Sequence, residues 1–183
     1  MLKFKTTLIG FAVAMAMGAS ASAADLSRGD QKFLKSAAES GMLEIEASKL
    51  ATQKAEHPDV KAFAEMMITD HTKVGEELKA LASSKGYTLP TALEGGMKRK
   101  LDGLAKRSGH DFDEEYADEI AVDAHEDAVD LFKDASEDAK DADIKAFAAK
   151  TLPALQAHLE KGKALEKTID DVKDNRKAGA AKP

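Results

Sequence analysis

Three histidines, at positions 71, 125 and 158, each interrupt a run whose apolar residues recur every three or four positions. In the segment around His71 the run is Val60, Ala64, Met67, His71, Val74, Leu78 and Leu81. This is the seam of a packed helix, so the imidazole points inward. Ile144, Ala148, Thr151, Leu155, His158, Gly162, Leu165 and Ile169 repeat the pattern, as do Ala117, Ala121, His125, Ala128, Phe132 and Ala135. A fourth stripe, Phe33, Ala37, Gly41, Glu44, Ser48 and Ala51, carries a glutamate in place of the histidine. Three neutral imidazoles and one carboxylate in an apolar interior make a donor set for a transition-metal ion, with Zn, Cu or Fe the expected metals.

These four residues meet only if they lie at one height. Glu44 stands 13 residues before His57 and His71 stands 14 after it, so the two are level across the turn that joins their helices. His125 and His158 stand 16 before and 17 after Asp141. At about 1.5 Å per residue both pairs fall near mid-helix, and they agree whether the two turns share one end of a bundle or occupy opposite ends. Two other readings of the same residues stand beside the metal site: hydrogen-bonded core histidines with Glu44 as partner to one of them, and haem held between paired histidines. His57, before a proline, and His110 are expected at the surface. Asp70, Asp123 and Asp127 flank the site and can only support it from behind. Met42, Met66 and Met67 are read as core filling rather than as thioether ligands of Cu(I).

Four helices must carry these residues. The first runs from about Ser27 or Asp30 to Lys54. Pro58 and Asp59 start the second, which ends at Gly86 before Pro90. The third spans about Asp113 to Lys140 and the fourth Ala142 to Val172, with Pro153 inside it. The halves resemble each other: DVKAFA at 59–64 recurs as DIKAFA at 143–148, an offset of 84, and Phe33 has a counterpart in Tyr116 at nearly the same offset. A duplicated hairpin explains both, because one hairpin cannot bury its apolar face and two together can. The expected organisation is a leader at 1–23, hairpins at 27–85 and 112–172, a connector at 86–111 and a solvated tail at 173–183. About 25 connector residues are long enough for a tight loop or for a crossover along the bundle.

Lys3 and Lys5, the apolar stretch Leu8 to Met17 and Ala21-Ser22-Ala23 form an export signal, which directs the chain to the periplasm. The stretch is shorter than the roughly 20 residues of a membrane-spanning helix, so none is expected after cleavage. Losing Lys3 and Lys5 leaves 25 basic against 33 acidic residues, a formal charge of −8. Nucleic acid is thereby excluded as a partner. With no cysteine, disulfides and thiolate metal sites are excluded as well. No phosphate-binding glycine loop, serine triad or zinc-protease motif is present, and no catalytic residue is assigned.

The segments FLKSAAESGMLEIEASKLA, VKAFAEMMITDH, FDEEYADEIAVDAHEDAVDLF and IKAFAAKTLPALQAHLEKGKAL together resemble the exported bacterial family called domain of unknown function 4142. That resemblance covers nearly the whole chain after the leader. It is strongest at Met67, Asp70 and His71 and at Leu152, Pro153, Leu155 and His158. It implies an all-α, ferritin-like four-helix bundle, exported and labelled as a periplasmic or outer-membrane protein, and implies no activity. Ferritin-like di-iron proteins place a glutamate three residues before each histidine, where this chain has Ile68 and Leu155, so oxygen-activating di-iron chemistry is not expected. The competing expectation is an envelope or stress-associated interaction protein that engages a protein partner and uses its histidines only for hydrogen bonding.

Overall fold

The computed structural model describes residues 26–180, with side chains as far as Val172. The expected leader at 1–23 and the side chains of the expected tail lie outside the described residues. Helix α1 spans Arg28–Lys54 and α2 spans Pro58–Ser84. A connector helix, α3, covers Gly95–Ala105. The third long helix comprises α4 (Gly109–Tyr116), a π-helical segment (Ala117–Asp123) and α5 (Ala124–Asp138), and α6 covers Ala142–Ala180. Local chemistry sets most of these ends. Ser27 caps α1, its Oγ accepting from the Asp30 N–H at 3.1 Å, and Pro58 occupies the first turn of α2, where a missing N–H costs nothing. Gly86 ends α2 with φ of +70°, a conformation that favours glycine. The backbone of α6 continues past the end expected at Val172, because 173–180 contains no proline and is rich in Ala, Lys and Arg, which are strong helix formers.

Two buried aspartates fix the topology. Asp113, near the start of α4, accepts from the backbone N–H groups of Glu56 and His57, in the turn of the first hairpin. Asp30, near the start of α1, accepts from those of Lys140 and Asp141, in the turn of the second. Each hairpin therefore closes the other's turn, which places the two turns at opposite ends of the bundle. α2 finishes at the end where α4 cannot begin, so the connector must travel the length of the molecule. This is the ferritin-like crossover, with α3 as its helical part. Among the described residues no helix is long and apolar enough to cross a membrane.

The stripes face the core as their spacing requires. All eight residues of the α6 stripe are buried, as are those of α4–α5, α1 departs only at Gly41, and α2 departs at Val74 and Leu81, which are half-buried. The buried apolar side chains form two clusters, one around Phe63, Phe112 and Tyr116 and the other around Phe33, Phe132 and Phe147. Glu44, His71, His125 and His158 occupy the level between them, a polar waist in an otherwise apolar core.

The third helix is not the plain α-helix expected over Asp113 to Lys140. It begins at Gly109, and across 117–123 its turns widen, so that the Ala124 N–H donates to the Glu119 carbonyl five residues back. Such a turn holds one residue more than an α-helix. The repeat records that residue: Phe33 and Tyr116 are 83 apart, whereas the helix ends Lys54 and Asp138 and the segments at 59–64 and 143–148 are 84 apart.

A candidate metal centre at the waist of the bundle

Each histidine of the waist has one ring nitrogen held and one free. The Nδ1 of His71, on α2, lies 2.5 Å from Oε2 of Glu44 on α1. His125, the second residue of α5, donates from Nδ1 to the carbonyl of Ile120 at 2.9 Å. The widened turn brings that carbonyl to the ring. His158 on α6 donates from Nε2 to Oδ2 of Asp70 on α2 at 3.0 Å. Because a carbonyl and a carboxylate only accept, Nδ1 of His125 and Nε2 of His158 carry the hydrogens of these bonds, and His71 turns its Nδ1 to the Glu44 carboxylate. These contacts leave His71 Nε2, His125 Nε2 and His158 Nδ1 buried and without hydrogen-bond partners.

The rings converge. Their centroids are 5.3 Å apart for His71 and His158, 5.4 Å for His71 and His125, and 5.7 Å for His125 and His158. One nitrogen from each lies within 4.8 Å of the other two. An ion about 2.0–2.1 Å from three nitrogens needs them roughly 3.4–3.6 Å apart, so the three have at most a little over an ångström to close. In each ring one nitrogen already rests on a protein group, a carboxylate for His71, a carbonyl for His125 and a second carboxylate for His158, which is the outer support that histidine metal ligands ordinarily have.

Burial and charge act against each other here. Burial disfavours the charged form of His71, yet the adjacent Glu44 carboxylate outweighs it and raises its pKa above the ordinary value. Burial likewise opposes ionisation of Glu44, and His71, with help from Ser40, holds its pKa below the ordinary range. His125 and His158 have pKa values lowered chiefly by burial, which leaves them neutral donors near pH 7. The site thus pairs two ready ligands with a third, His71, whose proton an ion must displace.

The structure brings His71, His125 and His158 together as the sequence spacing requires, with Glu44 at the same level. Glu44 joins them through His71: its Oε1 accepts from Ser40 Oγ at 3.0 Å and its Oε2 faces the His71 ring, so it stands behind a ligand position. Asp70 takes the supporting place behind His158, whereas Asp123 and Asp127 are exposed. His57 and His110, expected at the surface, are both half-buried: His57 caps α2, its Nδ1 accepting from the Asp59 N–H at 3.2 Å, and His110 stands at the start of α4 with its Nε2 buried and without a hydrogen-bond partner, so neither joins the waist. Met67 is fully buried in the cluster around Phe63, one turn before His71. Sequence reasoning missed the Ile120 carbonyl, whose one signal was the change of repeat offset. Gly162, a member of the stripe read from the sequence, lies one turn beyond His158 and against the backbone of Ala121.

Solved structures share this architecture. CopM in its Cu(II)-bound form is 22% identical, aligns over 76% of this chain and 96% of its own, and superposes with a TM-score of 0.62. CopM in a Ag-bound form gives the same identity and coverage with a TM-score of 0.61. A DUF305 fragment from Deinococcus radiodurans is 9% identical over 79% of this chain and 99% of its own, with a TM-score of 0.68. At such identities the likeness establishes the fold, a helical bundle of ferritin-like type. No functionally curated protein matches the sequence. The family model described as domain of unknown function DUF4142 matches residues 15–165, most of the chain, and the protein belongs to that family.

Proposed function

We propose that this protein binds one transition-metal ion, copper before zinc or iron, between His71, His125 and His158, and holds it outside the cytoplasm. The observation that carries the reading is the set of three buried nitrogens that lack partners while the opposite nitrogen of every ring is fixed. Leaving a buried polar nitrogen unsatisfied costs about 1–3 kcal/mol, and one ion shared by the three would relieve all of them once His71 gives up its proton. The rings converge on a single point instead of facing in a pair across a slot, which fits a bare ion better than a porphyrin. Copper is preferred because imidazole binds it more strongly than other first-row divalent ions and because the similar CopM structures hold Cu and Ag. Glu44 and Asp70 would balance its charge from behind the rings. Three protein ligands leave a fourth position open, so the bound ion would supply an exchangeable site suited to taking up and passing on metal. The leader at 1–23 supports export.

Thermal melting with added Cu(II), Zn(II) or Fe(II) tests this, because a ligand that binds only the folded state raises Tm, by the equivalent of about 2.7 kcal/mol at a hundred times Kd. The stabilisation should vanish in His71→Ala, His125→Ala and His158→Ala and persist in His57→Ala. No stabilisation by any ion would leave the histidines as core residues and move the search to protein partners.

A further inference from the structure

Gly41 of α1 and Gly75 of α2 both line a cavity of about 450 Å³ that opens between these helices and the connector around Tyr87 to Thr91. A glycine inside a helix costs about 1 kcal/mol relative to alanine, and in a bundle the usual compensation is close backbone approach. Gly162 has that reason, since a Cβ there would lie 1.9 Å from the Ala121 carbonyl oxygen. Gly41 and Gly75 do not: nothing lies within 4 Å of a Cβ placed on either. Gly41 is half-buried and Gly75 exposed, so both stand at the opening of the cavity with no neighbour that requires a glycine.

The walls of that space are apolar, with Ala37, Val74, Leu78, Phe132 and Leu155 reaching the middle of the bundle. At its inner end stand Glu44, Ser40 and His71. Apart from His71, the charged side chains that line it are Glu44 inside and Lys79, which is exposed. Glu44 is 1% exposed, and its two oxygens engage Ser40 and His71, which leaves about two of the four acceptor positions of a carboxylate unused. From Ala37 to Glu44 the cavity follows seven residues of α1, about 10 Å. Its size is that of a small-molecule site, and a few polar groups at the end of an apolar pocket are what orients a ligand.

We infer that this cavity binds a small amphipathic cation, its apolar chain between Gly41 and Gly75 and its hydrogen-bond-donating head against the Glu44 carboxylate. An anionic head is disfavoured there, because the carboxylate oxygens of Glu44 only accept, while Ser40 Oγ already donates to one of them and His71 Nδ1 faces the other. This goes beyond the metal reading and does not depend on it.

Isothermal titration of the full chain with octylguanidinium, octanoate and 1-octanol decides the matter. Guanidinium stays protonated and has no lone pair to offer a metal, so its binding reports on the cavity alone. One octylguanidinium should bind per chain, at least tenfold tighter than octanoate. Gly75→Leu fills the space and should weaken that binding at least tenfold, whereas Gly75→Ala should retain it, both variants melting no lower than the parent. Glu44→Gln should weaken octylguanidinium more than octanol. Failure of octylguanidinium to bind, several molecules bound per chain, octanoate binding as tightly, or unchanged binding by Gly75→Leu would each overturn the assignment. Metal content measured on the same preparations keeps its failure separate from failure of the metal site.

Discussion

Gly162→Ala should damage the metal centre without touching a ligand. A Cβ at this position would lie 1.9 Å from the carbonyl oxygen of Ala121 and 2.7 Å from its carbonyl carbon, against roughly 3.3–3.6 Å for an ordinary carbon–oxygen contact. The obstacle is backbone, so α6 and the π segment must separate locally by about 1.4 Å. Ile120, the neighbour of Ala121, holds the His125 ring at 2.9 Å, and a displacement of that size breaks the bond or turns the ring. Overpacking of this kind costs about 1–3 kcal/mol, and replacing a helical glycine returns about 1 kcal/mol. The net effect on Tm should therefore be a fall of no more than several degrees, at about 2–4 °C per kcal/mol. Metal affinity should fall further in proportion, by about 10–100-fold, the usual consequence of losing the support behind a histidine ligand. Calorimetric titration with Cu(II), beside a circular-dichroism melt to establish folding, measures both. A folded Gly162→Ala protein that binds metal as tightly as the parent would refute the proposed coupling between the π segment and His125.

Asp70→Asn and Glu44→Gln remove charge from behind His158 and His71, and each should weaken metal binding by about 10–100-fold at unchanged stoichiometry, read from competition titrations. The Glu44–His71 pair also sets a pH window for the metal-free protein. Glu44 is held below the ordinary value of 4.5, so its contribution is complete above 4.5 and is lost as pH falls through the folded value. His71 is raised above 6.5, so its contribution is complete below 6.5 and is lost as pH rises through the folded value. Melts in a chelator should show this pair stabilising most between pH 4.5 and 6.5. In Glu44→Gln that dependence should flatten, and an identical profile in parent and variant would contradict the assignment. Asp30→Ala and Asp113→Ala each leave two backbone N–H groups of a turn without their acceptor, at about 1–3 kcal/mol per group, and should lower Tm in denaturation assays far more than substitution of the exposed Asp123.

Much of this arrangement was legible because helical spacing leaves little freedom. A stripe such as Ile144 to Ile169 has one side to bury, and residues counted from a short turn have a defined height, so His71, His125 and His158 had to meet near the middle. The direction of the connector was not legible, since 25 residues suit either route and the choice rests on Asp30 and Asp113, which look like ordinary first-turn acids. The π segment ADEIAVD has no composition of its own and shows itself only as one extra residue between two repeats. The place of Glu44 was beyond the sequence for a different reason. A carboxylate that binds an ion and one that holds a ligand's ring occupy the same stripe and differ by the depth of one imidazole.

The central claim is that His71, His125 and His158 share one ion. Crystals of the metal-loaded protein, measured at the absorption edge of the bound element, locate that ion without reference to any assumed site. A single anomalous peak about 2.0–2.1 Å from His71 Nε2, His125 Nε2 and His158 Nδ1 is the predicted result. A peak at the methionines or at His57 or His110, with the three nitrogens still unpartnered at the waist, would contradict it.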